Sequence, residues 1–181
     1  MKKIPHTHIK VDYTDELWQK VTEAARPSKA TNPIGDISIR VGERYVLGKP
    51  ESSGSEYLAE IIGGMLQAVP DIVSNKRAVI ELNNGPAYLV FDPVDSPDQI
   101  GIAYRAPRES ALNPKERLSI EEAVRANKRQ TVNEILGTGT EYLRRFKQRN
   151  ENLQSAANYR GIEEDLEHAI RIYRQESNTN Y

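Results

Sequence analysis

Apolar and polar positions alternate most regularly between Lys76 and Ala106, KRAVIELNNGPAYLVFDPVDSPDQIGIAYRA. Two β-rich runs flank Asn84-Gly85, a dipeptide that accepts the left-handed backbone of a tight hairpin turn. A third run, Gln99 to Arg105, follows a turn holding Pro93, Asp95, Ser96 and Pro97. The stretch predicts a three-stranded antiparallel meander over about residues 77–105. Its density of Val, Ile, Leu, Tyr and Phe makes it the expected centre of the core.

Upstream, Ile9, Val11 and Tyr13 alternate with His8, Lys10 and Asp12, which predicts a strand. Thr14 stands as the N-cap of a helix, with Asp15 and Glu16 at the positive end of its dipole and Pro27 as its stop. Ile37, Ile39 and Val41 predict a second strand. Gly42-Glu43 either folds it back into a short strand over 44–47 or marks a bulge in one long strand. Ser53-Gly-Ser-Glu56 has capping-box spacing and predicts the start of a helix that carries Tyr57, Leu58, Ile61, Ile62, Met65 and Leu66 on one face and ends at Pro70. Gly63-Gly64 inside it costs about 1 kcal/mol per residue relative to alanine. The pair implies either a close approach by another segment, such as the meander, or a frayed helix.

Beyond the meander the pattern becomes helical. Asn113-Pro114-Lys-Glu116 combines an N-cap, a proline at the first helical position and a third-position glutamate. Ser119-Ile-Glu-Glu122 is a second capping box, placed to start the main helix. Gly137-Thr-Gly139 predicts a break in it, and Thr138-Gly-Thr-Glu141 a third capping box. Gly161 predicts another stop, before a last helix carrying Ile162, Leu166, Ala169, Ile170 and Tyr173.

The order β-α-β(β)-α-β-β-β followed by helices predicts an α+β fold. An antiparallel sheet is built around the meander, with helices packed on one face and a helical C-terminal region. The expected organisation is a sheet domain over 1–112, a helical extension or layer packed on the same domain over 113–175, and a polar tail over 176–181. The narrow stripes and charged opposite faces of the C-terminal helices suit a surface layer or an arm.

Composition narrows the function classes. Of 181 residues, 38% are hydrophobic and 28% charged, which suits a compact sheet with solvent-facing helices. The chain has no cysteine, which excludes disulfides, cysteine-zinc sites and thiol catalysis. No apolar run approaches the roughly 18 residues of a membrane span, and the N-terminus lacks the apolar core of a signal peptide. A cytoplasmic protein that makes no membrane contact is the expectation. A net charge of −1 supplies no global field to hold nucleic acid.

Four constellations could carry chemistry. His6 and His8 have the i, i+2 spacing that places two imidazoles on one face of a strand, a weak metal pair that Asp12, Asp15 or Glu16 would have to complete for a metal-assisted hydrolase. Asp92, Asp95 and Asp98 lie in DPVDSPD, which reads as a proline-stiffened acidic turn and as a contact loop for a basic protein partner. Gly137-Thr-Gly139-Thr140 could cradle an anion at a helix N-terminus, or simply mark a helix break. Arg144, Arg145, Lys147 and Arg149 form a basic run interleaved with Tyr142 and Phe146, a candidate nucleic-acid face that reads equally as a solvated helix surface. No phosphate-loop, dinucleotide or nucleophile-elbow spacing occurs. In outline the layout is similar to that of small bacterial immunity and adaptor proteins. The expectation is a non-enzymatic protein-binding module of immunity or inhibitor type, without a cofactor, with nucleic-acid association and metal-assisted hydrolysis as the alternatives.

Overall fold

A computed structural model describes residues 4–24, 33–49, 54–83, 87–105, 111–113, 123–149 and 157–179. Its class is α+β, with antiparallel sheets and helices, one of them C-terminal. The first sheet is built on β2 (Ile34–Val41). On one side β2 pairs with β1 (Thr7–Asp12), and on the other with β3 (Arg44–Leu47) and β4 (Gly54–Tyr57). The chain folds back at Gly42 into a separate strand, so the reading as one long bulged strand fails. Val41 pairs with Arg44 across a Gly42-Glu43 turn, Gly42 takes φ +58°, and the register shifts between Ile39 and Arg40 as in a bulge.

The second sheet has the order β5 (Ala78–Leu82), β6 (Ala87–Pro93), β7 (Gln99–Arg105) and β8 (Val124–Asn127). The first three are the meander. Leu82 pairs with Ala87, so the register is centred on Asn84-Gly85, although residues 84–86 lie outside the described ones. Strand β8 corrects the expectation of helix after Ala123. It pairs with β7 from Gln99↔Asn127 to Ile102↔Val124, and the main helix starts only after it. The side chain of Asn127 accepts a bond from the Gln130 N–H at 2.8 Å and caps that helix. The boxes at Asn113–Glu116 and Ser119–Glu122 fall, apart from Asn113, outside the described residues.

Helix α1 (Asp15–Ala24) starts as expected, with the Leu17 N–H donating to Thr14 Oγ1 at 3.2 Å. Helix α2 (Leu58–Val73) departs from expectation at both ends. The segment read as its capping box is strand β4, held by pairing to β2, and Tyr57 caps the helix without a side-chain bond. Pro70 lies inside the helix, because the proline forfeits only its own N–H and one further turn closes around it. Termination comes from Asn75 at φ 55°, with Asn75 N–H to Ile72 O at 3.2 Å and Lys76 N–H to Asp71 O at 2.8 Å, a Schellman cap.

Helix α3 (Lys128–Arg149) runs unbroken through Gly137-Thr-Gly139. Thr138 and Thr140 donate back to the Glu134 and Leu136 carbonyls, each at 2.8 Å, so neither threonine caps a new helix. Helix α4 (Ala157–Thr179) likewise runs through Gly161 and takes in residues 176–179, which were expected to be tail.

One buried cluster joins these layers. Ile80, Leu89, Phe91 and Ile102 of the second sheet meet Ile62, Met65 and Leu66 of α2. Ile37 and Ile39 of the first sheet, Ile135 and Phe146 of α3, and Ile162 and Ala169 of α4 complete it. Each such Leu, Ile or Phe contributes about 1.5–3 kcal/mol by leaving water. Gly64 shows why the glycine pair sits in α2: a Cβ there would lie 2.7 Å from Ile80 Cγ2, so β5 packs directly on the bare helix backbone. Gly63 faces Ile162 and Asp165 of α4 at ordinary contact distance. The other face of the second sheet is covered around Tyr88 and Val90 by Ala111, whose carbonyl accepts from Arg77.

Candidate functional site

Strand edges decide where this fold can accept another chain, because an edge strand presents unpaired N–H and C=O groups. The outer edge of β1 is closed by α3. The side-chain amide of Gln130 pairs with Thr7 in both directions: Thr7 N–H donates to Oε1 at 2.6 Å, and Nε2 donates to Thr7 O at 2.7 Å. Glu134 accepts from the next outward N–H, that of Ile9, at 3.3 Å. At β8, the Asn127 N–H donates to Pro5 O at 3.0 Å. Among the described residues no strand pairs with the outer edges of β3, β4 or β5, and the edge of β5 adjoins a groove.

Along that edge lies a groove of about 840 Å³. One wall is β5 from Arg77 to Glu81. The floor is the face of α2 that carries Ala59, Gly63, Gly64 and Ala68, and the far wall is the first three turns of α4, at Ala157, Gly161 and Asp165. Small residues at four-residue spacing on both helices keep the groove open, since residues one turn apart share a helix face. Its polar lining is acidic. Glu60 and Asp71 of α2 and Asp165 of α4 contribute three carboxylates, whereas Glu81, on the same face of β5 as Arg77, accepts from the Tyr88 hydroxyl at 3.4 Å on the far side of the sheet. Arg77, the one lining cation among the described residues, is drawn to the other face of the sheet, where it donates to the carbonyls of Ala111 and Asn113 and meets Asp92. Glu60 accepts from Asn83 across the groove mouth, and Asp165 accepts from Gln67 at 3.0 Å.

The residues singled out in the sequence fall elsewhere. Asp95 and Asp98 are exposed in the β6–β7 turn. Asp92 is separated from them. It sits on β6 at 5% exposure, with its carboxylate 3.5 Å from Arg77 Nε, so it is out of reach of a partner at that surface. Strand alternation is the reason, because Asp92 shares the covered face with Tyr88 and Val90.

Arg144, Arg145, Lys147 and Arg149 are all exposed on α3. Arg144 and Arg145 converge on Glu141 and hold its carboxyl down at about 2. Arg145 lies over the Tyr13 ring at 4.5 Å, and Arg149 over Trp18 at 5.7 Å. Burial, with Glu141 adding to it, raises the Tyr13 hydroxyl to about 12. Tyr142 and Phe146 belong to the core at 2% exposure and stack at 4.1 Å. Three of the four basic groups are thus engaged within the fold.

His6 and His8 are exposed around β1, and no group of three or more His, Asp or Glu among the described residues is placed to hold a metal ion. The anion cradle at Gly137–Thr140 has no basis, since no helix begins there. Sequence reasoning missed the grouping of Glu60, Asp71 and Asp165 because two helices far apart in the chain supply them. The one local hint was the Gly63-Gly64 pair, whose register continues through Ala59 and Ala68. No helix among the described residues is long and apolar enough to cross a membrane. The chain matches no family model, no curated protein and no solved structure.

Proposed function

We propose that this protein is a non-enzymatic module that binds another protein by docking a polypeptide segment in the groove between α2, β5 and α4. It would act as immunity and inhibitor proteins act, by occupying a target. The observation that carries this reading is the coincidence of a strand edge that no strand pairs among the described residues with an adjoining groove of about 840 Å³. A sheet edge supplies affinity through main-chain hydrogen bonds, and the pockets beside it supply selectivity. The exposed Asp95 and Asp98 provide a second, electrostatic contact, on a turn held rigid by two strands and by Pro93 and Pro97.

Selection of random peptides on the immobilised protein tests the reading. Gly161 lines the groove and has nothing within 4 Å of a built Cβ, so Gly161→Trp fills the groove without straining the fold. Selected peptides are expected to lose at least about tenfold in affinity for Gly161→Trp, a difference of about 1.4 kcal/mol. Binders indifferent to that substitution would refute the groove as the docking site.

A further inference from the structure

We infer that the occupant of the groove is an extended, lysine- or arginine-rich segment of a partner protein, added to the second sheet as a fifth strand on β5. The inference rests on the protein-docking reading above and specifies the chemistry and the geometry of its ligand.

Three observations converge on a strand. The edges of β1 and β8 are engaged by groups from elsewhere in the chain, whereas the outer edge of β5, unpaired by a strand among the described residues as are those of β3 and β4, borders the groove. The groove runs parallel to that edge, since Arg77 to Glu81 line it in succession. Its length also fits. Ala59 to Asp71 of α2 span about 18 Å at 1.5 Å per residue. The five residues of β5 span about 17 Å at 3.4 Å per residue. A segment of about five or six extended residues therefore fills it.

Charge selects the sign of the segment. Glu60 and Asp71 of α2 and Asp165 of α4 line the groove, and Arg77 is turned away to Asp92 and to the Ala111 and Asn113 carbonyls. Side chains of an added strand alternate, so one set faces α2 and α4 and meets these carboxylates above the small-residue floor, while the other lies beside Val79 on the opposite face of the sheet. An alternating apolar and basic segment matches both. A second copy paired through β5 does not, because β5, AVIEL, carries no basic residue to meet these carboxylates.

The probe is a synthetic peptide of about ten residues with alternating lysine and valine, measured by fluorescence anisotropy against the intact protein. A glutamate–valine peptide of the same length is the control. In an antiparallel or parallel ladder only every second residue of the added strand points its N–H at β5. N-methylation scanned along the peptide is therefore expected to weaken binding about tenfold or more at alternate positions and little at those between. Asp71→Asn with Asp165→Asn is expected to weaken the basic peptide several-fold while leaving thermal unfolding unchanged.

Binding with no alternation in the methyl scan overturns strand addition and leaves protein docking standing. Equal binding of the acidic peptide, or failure of the basic peptide where library-selected peptides bind competitively with Gly161→Trp, overturns the basic ligand alone. A stable dimer in sedimentation that excludes the peptide identifies the occupant as a second copy and overturns the inference. If library peptides also ignore the groove, both readings fall together.

Discussion

Two glycines separated by one residue in α3 should respond to alanine in opposite directions. Gly137 is exposed, and an ideal Cβ built there has no neighbour within 4 Å. Gly139 is buried, and its Cβ would lie 3.0 and 3.1 Å from the two Leu66 methyls and 3.5 Å from a Leu166 methyl. Replacing glycine by alanine inside a helix gains about 0.8–1.0 kcal/mol. Gly137→Ala keeps that gain, because nothing opposes it. At Gly139 the same gain meets overpacking, which costs about 1–3 kcal/mol when a filled core must give way. The net effect of Gly139→Ala is a loss between zero and about 2 kcal/mol. For a chain of this size 1 kcal/mol moves Tm by about 2–4 °C, so the variants should straddle the wild type. Urea denaturation followed by circular dichroism measures both, and an unchanged m-value keeps the comparison within the folded state. The Gly-Thr-Gly spelling predicts a break, in which alanine at either position gains nothing. A Gly137→Ala midpoint at or below that of the wild type would therefore refute the unbroken helix and restore the break.

Thr7 and Thr131 share a buried hydroxyl pair at 2.6 Å, so Thr131→Val should leave Thr7 Oγ1 unsatisfied and cost about 1–3 kcal/mol, with Thr7→Val/Thr131→Val costing less than the sum of the singles in a denaturation cycle. Glu141, held at about 2 by Arg144 and Arg145 against an ordinary 4.5, contributes stability above pH 4.5 and loses it as pH falls towards 2. Because its side chain is 37% exposed, solvent screens the pair, and Glu141→Gln should cost less than about 1 kcal/mol at pH 7 and nothing at pH 2 in parallel melts. Asp95→Lys with Asp98→Lys should leave the melting temperature within about 2 °C and slow association with a basic ligand, chiefly through the on-rate seen in surface plasmon resonance. An unchanged on-rate removes the turn from the contact surface.

The sequence by itself determined the elements whose signals are local. The meander was legible because alternation of apolar residues and the Asn84-Gly85 centre depend only on neighbours along the chain, and Leu82↔Ala87 places the register there. Thr14 was legible as a cap because its hydroxyl needs only the N–H three residues on. Signals failed where a distant partner outbid a local preference. Gly54–Tyr57 spells a helix start and becomes β4 because β2 offers it a ladder, and Val124–Asn127 becomes β8 because β7 does. Gly139 and Gly161 spell stops, yet the helices continue. At Gly139 the packing of Leu66 and Leu166 on the bare backbone repays the lost propensity.

Tertiary structure alone decided the groove. Its carboxylates come from residues 60, 71 and 165, on helices that share a surface only after α2 has packed against α4. Nothing in local spacing announces that they share a surface. The same holds for Asp92. Sequence places it with Asp95 and Asp98, but strand alternation turns its side chain to Arg77 on the covered face. Which edge stays open was also decided at this level. The Gln130 amide reaches Thr7, 123 residues away in sequence, only because α3 lies along β1, and among the described residues no strand runs along β5. Local periodicity sets which residues form strands and helices. Burial of their apolar faces against one another sets which polar groups and which strand edge remain at the surface.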